Sequence, residues 1–203
     1  MLSAQLPTSS FSARHTSVGK AFAPRPYQRY AIRRIIDAPA VALLLDMGMG
    51  KTVSTLTAIN ELMFDRFEVH KVLVIAPLRV ALSTWRDECE MWEHTRHLRI
   101  SVAVGNLRTR EEALAEDADI YVVNRDVVKW LVGYYRAKWP FDMVVVDESS
   151  SFKNPASQRF RALRKVRPLV QRVVLLTGTP APNGLMDLWS QLYLLDRGER
   201  LGR

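Results

Sequence analysis

Residues 41–59, with the sequence VALLLDMGMGKTVSTLTAI, join a continuous apolar run to a glycine-spaced turn and then to a segment of helical period. A short apolar run rich in Leu and Val is typical of a strand that is buried on both faces of a sheet. After the turn, Val53, Leu56 and Ile59 recur at helical spacing. The stretch therefore predicts a strand, a tight turn and a helix in immediate succession.

The turn in this stretch has the chemistry of a phosphate-binding loop. Met47, Gly48, Met49 and Gly50 form it, and the two glycines let several backbone N–H groups point to one place without an intervening side chain. The helix N-terminus would add partial positive charge, Lys51 could reach the β- and γ-phosphates, and Thr52 offers a hydroxyl to Mg²⁺. An ordinary structural turn explains the glycines but not the Lys-Thr pair after them. We therefore predict a nucleotide site with the short G-x-G-K-T motif.

The rest of the chain alternates β-rich apolar runs with segments of helical period. The further strand candidates are KVLVIAP (71–77), RISVAV (99–104), DIYVVN (119–124), FDMVVVDE (141–148) and RVVLLTG (172–178). Two further helical stripes comprise Leu78, Leu82, Trp85, Cys89 and Trp92, and Leu185, Leu188, Leu192 and Leu195. This alternation predicts an α/β fold, a doubly wound and mainly parallel sheet with helices on both faces. In such a sheet the ligand site lies beyond the carboxyl ends of the strands.

A second strand end carries two acidic residues. The run MVVVDE places Asp147 and Glu148 directly after a buried strand. Beside a phosphate-binding turn, Asp147 would hold Mg²⁺ and Glu148 would polarise the attacking water as a general base. Taken alone, the pair is more simply explained as two solvated acids, so this prediction depends on both motifs together.

Composition indicates a globular chain with an anionic partner. The 203 residues are 48% hydrophobic and 25% charged, which suits one large domain. The apolar runs are too short to span a bilayer, and a single cysteine, Cys89, fits a reducing intracellular compartment, so we expect a cytoplasmic or nucleoid-associated protein. A net charge of +8 favours nucleic acid as a partner.

The first part of the chain differs from the rest. Residues 1–23 are rich in Ser and Thr, and Asp37 is the first acidic residue of the chain. We predict a disordered basic arm over 1–23, with an organelle transit peptide as the alternative, followed by one domain over 24–203.

Four segments in order along the chain resemble the motifs of one protein family: YQ (27–28), DMGMGKT (46–52), DESSSFKN (147–154) and LTGTP (176–180). Together they resemble the first RecA-like motor lobe of superfamily-two helicases, from about Pro26 to Asp196. The glycine turn and the K-N ending are similar to the Swi/Snf-type ATPase branch, in forms frequent in phages and bacteria. The resemblance implies an ATP hydrolase that uses ATP and Mg²⁺ and translocates along duplex DNA.

The resemblance also assigns roles to residues outside the phosphate and acid motifs. Gln28 lies where the family's glutamine contacts the adenine edge, with Tyr27 or Arg25 near the base. As a lone residue, Gln28 is more simply ordinary helix surface. The residues that match the family segment coupling nucleotide state to lobe movement are Thr177, Gly178 and Thr179.

Three cations match family segments that lie along a DNA backbone. They are Arg79 in APLRVALSTW, Arg125 in NRDVVKW and Lys153 in SFKN. Backbone contacts need only amides, hydroxyls and positive charge, which these positions supply. For each of them, a solvated surface charge is at least as good an explanation.

The sequence also departs from the family pattern. Ser150 replaces a histidine that links the nucleotide site to the coupling segment, so we expect that link to be rewired. Leu45 stands where an acidic residue is frequent, and Pro182 where a glutamine is frequent. The family continues into a second lobe that carries an arginine finger worth about 10³ to 10⁵ in rate. Its absence here favours a fragment, with weak hydrolysis by the single lobe.

Two function classes remain open at this level. The first is the ATP-binding lobe of a DNA-dependent translocase that hydrolyses ATP when paired with a second lobe. The alternative is a nucleotide-gated nucleic-acid-binding or adaptor module without its own turnover. A P-loop kinase or other NTPase is disfavoured by the K-N and TGTP segments.

Overall fold

Strands form at all of the predicted positions in the computed structural model, which describes residues 19–181, 184 and 186–200. They are β1 (Ala40–Leu44), β2 (Val72–Ala76), β3 (Ile100–Val102), β4 (Ile120–Asn124), β5 (Met143–Asp147) and β6 (Arg172–Thr177). Within the described residues they make one sheet in the order β1-β6-β5-β2-β4-β3, with every neighbouring pair parallel. The prediction of a parallel α/β sheet is confirmed.

Helices connect the strands in the predicted alternating order. They are α1 (Pro26–Asp37), α2 (Lys51–Asn60), α3 (Trp85–Met91), α4 (Leu107–Ala115), α5 (Val128–Tyr135), α6 (Gln158–Val166) and α7 (Met186–Asp196). A π-helical turn, Glu61–Asp65, extends α2, and another, Val80–Thr84, precedes α3. The Asn106 and Ser157 side chains cap α4 and α6 by accepting hydrogen bonds from backbone N–H groups three residues on.

Two separate apolar cores cover the two faces of the sheet. Successive residues of β2 alternate between them, so Val72 and Val74 pack with α1, α2 and α3, whereas Leu73 and Ile75 pack with α4 to α7. All five residues of β2 are buried because it is a central strand. This division confirms the prediction of a doubly wound sheet with helices on both faces.

The predicted helical stripes are only partly correct. The stripe of α2 is buried as predicted, but Leu78 and Leu82 are 50% and 51% exposed. Ala81 is buried instead, together with Trp85 and Cys89. The π-helical turn before α3 changes the angular phase by about one residue, and a regular 3.6-residue period does not anticipate such a turn.

The predicted arm falls mostly outside the described residues, which begin at Gly19. Its last residues, 19–23, lie against the chain that follows α3. The backbone of Lys20 donates to Met91 O at 2.8 Å and accepts from the N–H of Glu93 at 3.0 Å. The boundary predicted at residue 24 therefore lies inside a packed segment. In the part of the chain that the structure describes, no helix is long and apolar enough to cross a membrane.

Candidate nucleotide-binding site

The glycine turn lies between the carboxyl end of β1 and the first residue of α2. Gly48 and Gly50 both adopt left-handed backbone conformations, with φ values of 77° and 72°. A side chain is disfavoured in this conformation, so both positions require glycine. A Cβ at Gly50 would also lie 2.4 Å from Gln28 Nε2. The turn thus brings backbone N–H groups, the N-terminus of α2 and α1 together.

Lys51 and Thr52 begin α2 directly after the turn. The Lys51 ammonium donates to the carbonyl oxygens of Leu45 at 2.7 Å and of Asp46 at 3.0 Å, which holds the charge over the turn. The Thr52 hydroxyl has no hydrogen-bond partner among the described residues and is half-buried. The two side chains that the sequence assigned to phosphate and Mg²⁺ therefore lie at the expected strand-to-helix junction.

Asp147 ends β5, which is separated from β1 by β6 alone. Its Oδ2 accepts a hydrogen bond from Trp85 Nε1 at 3.1 Å. Burial raises the pKa of the Asp147 carboxyl above its usual value, and the bonds from Trp85 and the Glu148 backbone together with the Lys51 charge oppose this rise. A buried carboxylate that senses the charge of Lys51 is suited to gain a cation nearby. The contact with Trp85 was not predicted from the sequence, which placed Trp85 only in a core stripe.

Glu148 lies in an unusual backbone conformation beside the coupling segment. Its φ of 54° is rare for a non-glycine residue. Its Oε1 accepts from Ser150 Oγ at 2.7 Å and from Thr177 Oγ1 at 3.0 Å. Thr177 Oγ1 in turn accepts from the N–H of Thr179 at 3.1 Å. Gly178 packs with its Cα toward the turn, where a Cβ would lie 3.4 Å from Leu45 O. The acid pair and the predicted coupling segment are therefore in direct contact.

A cavity of about 490 Å³ opens beside the glycine turn. It is lined by Arg25, Tyr27 and Gln28 of the α1 region, by Gly48 and Gly50 of the turn, and by Phe22 and Trp92 among others. Gln28 is only 8% exposed, so it is not helix surface; its Oε1 accepts from the Arg25 N–H at 2.8 Å and its Nε2 donates to Met49 O at 3.3 Å. The sequence did not indicate Phe22 and Trp92, because their contact joins residues far apart in the chain.

A groove of about 670 Å³ lies elsewhere, between α5 and α6. Its lining includes Lys129, Arg136, Arg161 and Lys165 but none of the residues of the glycine turn or the acid pair. We take the smaller cavity as the candidate nucleotide site, because only it adjoins the phosphate-binding chemistry.

The three predicted DNA contacts follow three adjacent strands. Arg79 comes after β2 and is exposed, Arg125 comes directly after β4, and Lys153 follows the turn after β5. Because β5, β2 and β4 are parallel neighbours, all three cations lie at the carboxyl edge of the sheet. Lys153 Nζ lies 3.4 Å from Asp187 Oδ2, so part of its charge is already paired.

Comparison with known proteins agrees with this geometry. A family model described as the SNF2-related domain matches residues 30–199. This chain belongs to the SNF2-related domain family. Its fold and motifs are those of the first lobe of the SNF2-type ATPase, which confirms the resemblance stated from the sequence.

Two relatives of this SNF2-related lobe come from a phage and a fungus. It is 44% identical over 190 residues to "Putative protein p41" of Acyrthosiphon pisum secondary endosymbiont phage 1, covering 91% of this chain and 41% of that protein. It is 32% identical over 180 residues to "Helicase SWR1" of Mycosarcoma maydis, covering 84% of this chain and 10% of the helicase. The chain thus spans less than half the length of these relatives.

A solved structure has the same fold. The Sulfolobus solfataricus SWI2/SNF2 ATPase core in complex with dsDNA superposes with a TM-score of 0.75 at 28% sequence identity. The match covers 87% of this chain and 36% of the archaeal chain. The match therefore supports the assignment of the SNF2-related lobe by architecture as well as by sequence.

Proposed function

We propose that this lobe binds Mg·ATP at the glycine turn and, with a second RecA-like lobe in cis or trans, hydrolyses it to ADP and phosphate in response to duplex DNA. The observation that carries the proposal is that the glycine turn with Lys51 and the acid pair Asp147–Glu148 converge at one edge of the sheet. The charge of Lys51 opposes the rise that burial causes in the pKa of the Asp147 carboxyl. Membership of the SNF2 family supports ATP as the nucleotide.

The residues present fit the ligand and the metal. The turn amides and the N-terminus of α2 would bind the phosphates, and the Lys51 ammonium would leave the carbonyls of Leu45 and Asp46 to reach them. The unpartnered Thr52 hydroxyl and the Asp147 carboxylate are the oxygen ligands that Mg²⁺ prefers. When bound there, Mg²⁺ would neutralise charge on the β- and γ-phosphate oxygens.

Glu148 is the proposed general base. Its Oε1 is held by Ser150 and Thr177, whereas Oε2 has no hydrogen-bond partner among the described residues. Oε2 would orient a water in line with the γ-phosphate and accept its proton as the water attacks. Gln28 and the cavity around Tyr27 would position the adenine.

Duplex DNA is the proposed activating partner. Arg79, Arg125 and Lys153 supply positive charge at the carboxyl edge of three adjacent strands, and the archaeal neighbour was solved with dsDNA. A DNA-bound ATPase with one buried thiol suits an intracellular site of action. Contacts to phosphates would position the lobe without reading sequence.

Steady-state ATP hydrolysis with and without duplex DNA tests this function, with Glu148→Gln as the matched control. Hydrolysis that DNA increases and that disappears in the control supports a motor lobe able to complete a site by self-association. If both proteins bind ATP but neither hydrolyses it, turnover requires a second lobe supplied in trans. Silence even with that lobe would favour the alternative, a nucleotide-gated binding module.

A further inference from the structure

The buried face of α7 carries two polar side chains beside the fully buried Leu194. Ser190 and Gln191 are 0% and 5% exposed, whereas Leu188, Leu192 and Leu195, which the sequence predicts as the core stripe, are only half-buried. Burying polar side chains is unfavourable unless they are hydrogen-bonded. The docking of α7 therefore depends on specific polar contacts as well as on the burial of Leu194.

Gln191 makes these contacts on two sides. Its Oε1 accepts from Ser149 Oγ at 2.7 Å, and its Nε2 donates to Pro180 O at 2.6 Å and to Asp187 O at 3.0 Å. The two carbonyls can only accept and the Ser149 hydroxyl donates to the remaining oxygen, so the orientation of the amide is fixed. One buried side chain thus joins the residue after Glu148 to the end of the TGTP segment.

Ser150, at the position of the family histidine, does not make this connection. Its single hydroxyl proton is donated to Glu148 Oε1, two residues earlier in the chain. Thr177 holds the start of the TGTP segment to the same carboxylate oxygen. The end of the segment at Pro180 is held by Gln191 alone among the described side chains.

The backbone at Glu148 is held in a disfavoured conformation. Its left-handed conformation is disfavoured for a side chain, and such conformations persist where the surroundings hold them. Ser149 follows immediately, so any rotation of the Glu148 backbone displaces the hydroxyl that Gln191 accepts from.

We propose that Gln191 is a positioning residue that transmits nucleotide-dependent movement of the Glu148–Ser149 backbone to Pro180 and α7. This inference rests on the proposed ATP-binding function and adds a route for the coupling. It predicts that the end of the TGTP segment responds to ATP only while the Ser149–Gln191–Pro180 connection is intact.

Hydrogen exchange measured by mass spectrometry on the full chain, with and without Mg·ATP, tests the inference. Pro180 itself has no amide hydrogen, so the readout is exchange at Gly178, Thr179 and Ala181. In the wild type, ATP should slow exchange at these three amides by about threefold or more. Gln191→Leu and Ser149→Ala should each remove most of that slowing while ATP affinity is unchanged. The double variant should lose no more of the ATP-dependent slowing than either single variant, because the two substitutions break the same connection.

Ser190→Ala is the matched control. Ser190 Oγ donates to Lys153 O at 2.7 Å. Ser190 therefore also connects α7 to the turn that follows Asp147 and Glu148, but it makes no hydrogen bond to Pro180. Its ATP-dependent slowing should match that of the wild type. If Ser190→Ala abolishes the response as Gln191→Leu does, α7 docking in general is responsible and the proposal is overturned.

The remaining outcomes separate the inference from the proposed function. If Gln191→Leu binds ATP and its TGTP segment still shows the wild-type slowing of amide exchange, the inference is overturned and the proposed function is left intact. If the wild type binds ATP but its amide exchange does not slow, the inference is likewise overturned and the proposed function is left intact. If the wild type does not bind ATP, the proposed function itself fails, and the connection has no nucleotide signal to carry.

Discussion

Replacing the two turn glycines by alanine should have unequal costs, because only one of them approaches another element. Both lie in the left-handed region, where a side chain costs about 1–2 kcal/mol. A Cβ at Gly48 would meet nothing within 4 Å, whereas at Gly50 it would lie 2.4 Å from Gln28 Nε2. Gly50→Ala must therefore displace Gln28 as well.

The size of the difference follows from the bonds of Gln28. Moving this buried side chain breaks its bonds with the Arg25 N–H and with Met49 O, and each contributes about 1 kcal/mol to stability. Gly50→Ala should therefore lower the free energy of unfolding by about 1–2 kcal/mol more than Gly48→Ala. For a chain of this size each kcal/mol lowers the thermal midpoint by about 2–4 °C.

Urea and thermal denaturation of both variants, alone and combined with Gln28→Ala, measure this difference. Without the Gln28 side chain, the cost of Gly50→Ala should fall close to that of Gly48→Ala, leaving only a 3.2 Å contact with Val53 Cγ1. Equal costs in the wild-type background would refute the placement of Gln28 against the turn. If Gly50→Ala still costs more stability than Gly48→Ala in the Gln28→Ala background, that placement would also be refuted.

Three further perturbations have defined outcomes. Burial raises the pKa of Asp147 in the folded lobe, so the free energy of unfolding falls as the pH rises from about 3.9 through the folded pKa. Asp147→Asn should flatten that fall and raise the thermal midpoint at pH 7, and it should abolish Mg·ATP binding. A lowered thermal midpoint in this variant would contradict the burial argument. Arg79→Ala and Arg125→Ala should each reduce by about 1 the slope of log affinity for duplex DNA against log salt, and an unchanged slope in both would remove them from the interface. Burial raises the pKa of the Cys89 thiol to about 12, so a disulfide reagent should modify it only after unfolding, and rapid labelling in native buffer would contradict its burial.

Much of the fold follows from local sequence patterns. Each strand was predictable because a parallel sheet covered on both faces needs continuous apolar runs, and such runs are visible along the chain. β1 is an instructive exception at the edge of the sheet: Leu44 is 58% exposed although its run looks like that of a central strand. The position of a strand in the sheet depends on how all the strands assemble, so it cannot be predicted from the apolar sequence of that strand alone.

The candidate site was predictable where chemistry is concentrated in consecutive residues. The glycine turn with Lys51 and Thr52 combines glycines, a cation and a hydroxyl that a structural turn does not need. Trp85 and Gln191 were not predictable as site residues. They contact Asp147 and Ser149 across 62 and 42 positions of the chain, and each sits in a helix whose periodicity suggests only core packing.

Equilibrium binding of Mg·ATP tests the central claim most directly, with the wild type compared with Lys51→Met. Lys165→Met, an exposed lysine on the α5–α6 groove, is the control for loss of one positive charge. The account predicts saturable binding by the wild type and Lys165→Met, and binding by Lys51→Met that is weakened by about tenfold or more, as expected when a charge-assisted contact of about 1.5–3 kcal/mol is lost. Equal affinity in all three proteins, or no binding by the wild type, would contradict the claim that the glycine turn is a nucleotide site.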